Sequence, residues 1–166
     1  MALSIGGISS NVVSATTSAT VNWSSLTSAQ ISKLTTAQVA AITSSELGAL
    51  SADQVPGFTG EQLKVLSTDQ LSALSANLIS ALTSSQISSL TTQQISSLSA
   101  EQLAGIETRD FGALSAAQLN AISLDKMDDL SNAQIAAIST TAIATCRPMR
   151  FRFSVATRSM HCLARN

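Results

Sequence analysis

The stretch from Leu82 to Leu98 reads L-T-S-S-Q-I-S-S-L-T-T-Q-Q-I-S-S-L. It holds one eight-residue unit twice: a leucine, a hydroxyl residue, two variable positions, glutamine, isoleucine and two small residues. Followed outward, the apolar anchor recurs at Leu26, Leu34, Ile42, Leu50, Phe58, Leu66, Leu74, Leu82, Leu90, Leu98, Ile106, Leu114, Ile122, Leu130 and Ile138, which makes 15 octads without an insertion. The second position is Ser or Thr from Thr27 to Ser139, with Glu107 the exception, and the sixth is apolar from Ile31 to Ile143. Gln holds the fifth position at residues 30, 38, 54, 62, 70, 86, 94, 102, 118 and 134, and Glu46 holds it once. The consensus is L-[ST]-x-x-Q-[IL]-x-x. Its eighth position is usually small, as in Ala41, Gly57, Ala73, Ala81 and Ser89, which implies close approach of neighbouring backbone.

A period of eight excludes one long helix. At about 100° per residue the anchors would advance by roughly 80° per octad and spiral around the rod, leaving no continuous apolar face. Neither coiled-coil period is met. Each octad instead carries its own helix start. The hydroxyl at position two is an N-cap, and Gln at position five falls at N3, where it reaches back to the cap in a capping box. Positions one and six then fall at N′ and N4, the two places of a hydrophobic staple. The predicted fold is all-α: a tight solenoid of short capped helices, one per octapeptide. The alternative is a β-solenoid, which an even period permits. Positions one and six would then face opposite sides of a strand, however, and Ala, Gln, Leu and Ser are poor strand formers. Stability of such an array depends on the number of stacked octads.

Three segments follow. Residues 1–25 form an uncharged Ser/Thr-rich leader and N-terminal cap, with Trp23 in the sixth-position register and placed to cover the first octad. Residues 26–145 are the 15 octads. Residues 146–166 are an irregular tail with Arg147, Arg150, Arg152, Arg158 and Arg165, His161, and the two cysteines, Cys146 and Cys162. Ten acidic residues against Lys33, Lys64, Arg109 and Lys126 put the body at −6, and the five arginines put the tail at +5. A repeat interrupted by an Arg- and Cys-bearing stretch is what a shifted reading frame looks like, and octads resuming in another frame of the encoding DNA would mark the tail as non-native. No aromatic stacking pattern accompanies the arginines, so no nucleic-acid partner is expected.

Charged residues are 11 % of the chain and aromatics 3 %, against about 25 % charge in ordinary globular domains. Ser, Thr or Gln interrupts every apolar run, so no membrane span is expected. Residues 1–30 carry no charged side chain, hence no basic n-region, and no Sec-type signal peptide is seen. The octads contain no histidine to serve as base beside a serine, and no phosphate loop or paired-cysteine motif appears. No catalytic, cofactor-binding or metal-binding residue is expected, and the chain is read as a non-enzyme. Asp125, Asp128 and Asp129 match no calcium loop and are read as a solvated acidic turn. Pro56 with Gly57, and Lys126 to Asp129, mark weakened octads. Leu78, Asp110, Lys126 and Ala142, where Gln is expected, weaken individual caps.

At this consensus the chain resembles the octapeptide L-[ST]-x-x-Q-[IL] segments of large bacterial surface and secreted proteins, often labelled adhesin-like or haem-utilisation-like. The resemblance covers Leu26 to Thr145 and implies a secreted or cell-surface structural module, a spacer or stalk within a longer repeat array, or a surface binding protein partners along its side. It carries over no functional residue, because the motif positions are structural. Two other classes remain. One is an intracellular scaffold or delivered effector that binds a protein partner. The other is a hydroxyl-lined ice- or glycan-binding face made by Thr27, Thr35, Thr43, Thr83 and Thr91, which requires hydroxyls not consumed by their own caps.

Overall fold

A computed structural model of the chain describes residues 23–138. The leader up to residue 22, the last octad beyond Ile138, Ala142 and the arginine tail lie outside the described residues. Among the described residues the chain forms short helices and no strand, so the fold is the all-α solenoid and not its β counterpart.

The octad explains each element. In the unit from Leu90, Thr91 is extended at φ −73°, ψ 159°, and its side chain accepts from the Gln94 N–H while the Gln94 side chain accepts from the Thr91 N–H. The helix Thr92–Ser97 follows, opened by the Ile95 N–H to Thr91 carbonyl bond of 3.0 Å. It closes on the Leu98 N–H to Ile95 carbonyl bond of 3.3 Å, a tighter i to i+3 turn. Leu98 is again extended, at φ −59°, ψ 138°. Two successive extended residues, the anchor and the next cap, thus make a corner between one helix and the next.

Three corners complete one coil. The packed elements are those three octads apart, and they sort into three columns. Column one stacks the 3-10 turn Trp23–Ser25, then Ser44–Gly48, Thr68–Ser72, Thr92–Ser97 and Ala116–Ala121. Column two stacks Ser28–Ile31, the 3-10 turn Val55–Gly57, Ala76–Ser80, Ala100–Gly105 and Leu124–Asp128. Column three stacks Thr36–Ala40, Gly60–Lys64, Ser84–Ser89, Thr108–Phe111 and Asn132–Ala137.

The core runs along the inside of this three-sided coil. All 15 anchors are buried, as are the sixth-position residues from Ile31 to Met127, in one continuous cluster. Ile135, in the last described coil, is partly buried. Trp23 is buried in sixth-position register, as the cap reading requires. Small eighth positions are explained by the stack. A Cβ on Gly105 would lie 2.7 Å from the Ala76 carbonyl oxygen of the coil below, and one on Gly57 would lie 2.5 Å from Ser28 Cα. The octad with Pro56 departs as expected, forming the 3-10 turn Val55–Gly57 in place of an α-turn. Lys126 and its neighbours keep a helix, Leu124–Asp128, but Ser123 makes no side-chain cap bond there.

Candidate interaction surface

The repeated polar residues are the natural candidates for a site, and the structure places those among the described residues. Complete capping boxes pair Thr27 with Gln30, Thr35 with Gln38, Thr43 with Glu46, Thr59 with Gln62, Ser67 with Gln70, Thr83 with Gln86, Thr91 with Gln94, Ser99 with Gln102, Ser115 with Gln118 and Ser131 with Gln134. Ser75 caps the Leu78 N–H without a return bond.

The glutamines do more than close these boxes. Gln94 spends its Oε1 on the Thr91 N–H at 2.9 Å, and its Nε2 donates to the carbonyls of Leu63 and Leu66 in the preceding coil, both at 2.8 Å. The same clamp recurs with the amide 31 and 28 residues from its acceptors: Gln54 to Trp23 and Leu26, Gln62 to Ile31 and Leu34, Gln86 to Val55 and Phe58, Gln102 to Leu71 and Leu74, Gln118 to Ile87 and Leu90, and Gln134 to Leu103 and Ile106. Gln70 reaches Ala40 and Ile42 in the same manner. These acceptors lie at the end of one helix and on the anchor that follows, where carbonyls lack helical partners. Clamping glutamines are buried, whereas Gln30, Gln38 and Glu46, in the first described octads, are partly exposed.

Departures from glutamine therefore cost more than the weakened cap expected from sequence. Leu78 is buried and has no amide to offer. Asp110 is buried and accepts a hydrogen bond from the Ser84 hydroxyl of the coil below, with Arg109 Nε 3.6 Å from the same oxygen. Lys126 supplies a partial substitute, its Nζ donating to the Ser96 carbonyl at 2.8 Å.

The proposed hydroxyl face does not assemble. Thr43 and Thr91 fall in column one, Thr27 in column two, and Thr35 and Thr83 in column three, and each hydroxyl is engaged in its own cap. Asp125, Asp128 and Asp129 do not converge either, and no cluster of three or more metal-ligating side chains occurs among the described residues. Acidic side chains gather on column two, where the fourth position carries Asp53, Glu101 and Asp125. An open hollow of about 520 Å³ lies where column two passes into column three, lined by Gly105, Glu107, Thr108, Arg109, Ser131 and Gln134 among others. Arg109 bridges Glu107 at 2.9 Å beside it. No helix among the described residues is long and apolar enough to cross a membrane.

Fold and surface together define an all-α solenoid repeat protein whose recurring polar groups are consumed in its own construction. Residues 39–76 and 103–140 match a family model described as the ALTTAQ repeat. The segments begin at Val39 and Leu103, both sixth positions, so the two matches share the octad register. No curated protein and no solved structure gives a match.

Proposed function

We infer that this chain is a non-enzymatic structural module of a secreted or cell-surface bacterial protein, acting as a spacer or stalk within a longer repeat array. The observation that carries the reading is the fate of the fifth-position glutamines. The recurring hydroxyls cap their own helices and the buried glutamines bond to the coil beneath them, so the repeat encodes its own stacking and leaves no recurring group for a substrate. Rods of this kind set a distance in proportion to their number of coils. Removing residues 58–81, one coil of three octads, from the full chain should bring fluorophores at Ser45 and Ala133 closer by about 10 Å, the separation of packed helices. A distance unchanged by the deletion would remove the spacer reading. Secretion draws support from the resemblance of the octads to surface-protein segments, and is tested by whether residues 1–25 direct export of a fused reporter.

A second reading, a scaffold or delivered effector holding a protein partner along its side, is favoured by the acidic row on column two. It calls for a basic partner, whose binding would fall as salt rises.

A further inference from the structure

Three kinds of interaction hold each octad: the box at its start, the glutamine clamp to the coil below, and the buried anchors. The anchors are continuous, but the octad from Leu74 keeps only the Ser75 cap bond, and in one coil two of the three octads lose cap bond and clamp alike. Octads beginning at Ile106 and Ile122 lack both box and clamp. Glu107 and Ser123 make no side-chain cap bond, Asp110 offers no amide, and Lys126 gives one exposed bond. Across this coil, residues 106–129, Gln118 is the one glutamine that grips the coil beneath, whereas the preceding coil, 82–105, has Gln86, Gln94 and Gln102.

Further observations fall on the same coil. The hollow lined by Gly105, Glu107, Arg109, Ser131 and Gln134 opens on its far side, toward the octad from Leu130. Asp110 is a carboxylate 1 % exposed, tied downward by the Ser84 hydroxyl. The Asn120 Oδ1 is buried with no hydrogen-bond partner among the described residues, a cost that no other described side chain carries.

We propose that residues 106–129 form a built-in seam at which the solenoid opens first, parting from the coil 82–105 while the glutamine-clamped octads below stay closed. In a stack held by nearest-neighbour contacts, opening starts where caps and glutamine clamps are both fewest. For a spacer, and this consequence rests on that reading, the seam gives a stalk a defined point of bending or extension under load. The seam itself stands independently of it.

Hydrogen exchange of the full chain, read peptide by peptide, tests the proposal, with Glu107→Thr/Asp110→Gln as the decisive variant. The substitutions restore a box and aim an amide at the Ile79 and Leu82 carbonyls, 31 and 28 residues away as in the other clamps. Amides of residues 106–129 are expected to exchange faster than those of 82–105 in the natural chain. In the variant they should slow by about tenfold or more, the sum of a regained cap and regained buried hydrogen bonds. Equal exchange in the two coils overturns the seam. Fast exchange that the variant leaves unchanged also overturns it, because simple fraying toward the end of the stack would behave so. Failure of either kind leaves the distance measurement on the spacer untouched.

Discussion

One residue, the fifth-position glutamine, shows why this repeat tolerates so few alternatives. A glutamate can close the box, as Glu46 does with Thr43, but it cannot donate to the coil below. Glu46 stands in an early octad and is partly exposed, whereas Gln94 is 3 % exposed and faces two carbonyls. Gln94→Glu is therefore expected to cost about 2 to 4 kcal/mol in urea unfolding at neutral pH, since it buries a carboxylate against acceptors. Burial raises the pKa of that carboxyl above its unfolded value of about 4.3. The penalty is thus present at neutral pH, shrinks as pH falls through the folded value, and is gone below the unfolded one. An equal cost at pH 7 and pH 4 would show that no charge had been buried. The box was legible in the sequence because cap and glutamine are three residues apart. The clamp was not, because its acceptors are backbone groups 28 and 31 residues away that no side-chain pattern marks.

At the scale of the element, an isolated helix of four to six residues is far below the length that is stable in water, so these helices exist through caps and packing. Thr91→Ala should destabilise the fold by about 1 kcal/mol. Replacing Thr83, Gln86 and Gln94 together by alanine should lower both helicity and melting temperature. Close approach between stacked coils sets a second limit. Gly105→Ala, with its Cβ 2.7 Å from the Ala76 oxygen, should cost about 1 to 3 kcal/mol in a thermal melt, and more than Gly48→Ala, whose nearest contact is 3.3 Å. A larger loss at Gly48 would contradict the stacking described. Helix starts, the apolar first and sixth positions and the small eighth position were all visible in the octad, because each is a local demand. The 3-10 turn at Val55–Gly57 was foreshadowed by Pro56, which fixes its own φ and cannot donate.

Across the whole molecule, the packing between elements joins octads three apart, so the array is a one-dimensional stack whose height grows with the number of coils. A solenoid was readable from the repeat, but the number of octads per coil was not. It depends on the angle at each corner, set by two extended residues whose identities, Leu and Thr or Ser, permit many angles. The scattering of Thr27, Thr35, Thr43, Thr83 and Thr91 over three columns follows from that number and dissolves the hydroxyl face that sequence alone left open. The same closure brings each glutamine amide to its carbonyls, so three octads per coil is the claim on which the clamp, the spacer and the seam all stand. Disulfide cross-linking tests it most directly, in full-length protein with Cys146→Ser and Cys162→Ser. Gly48 in a seventh position meets Ala73 in an eighth, three octads on, and Ser72 and Ser97 occupy the same two places one coil higher. Ser72→Cys with Ser97→Cys is predicted to oxidise rapidly to an intramolecular disulfide, while Ser72→Cys with Ser89→Cys, two octads away, is predicted to remain reduced. Cross-linking of the control pair in preference to the first would contradict the three-octad coil.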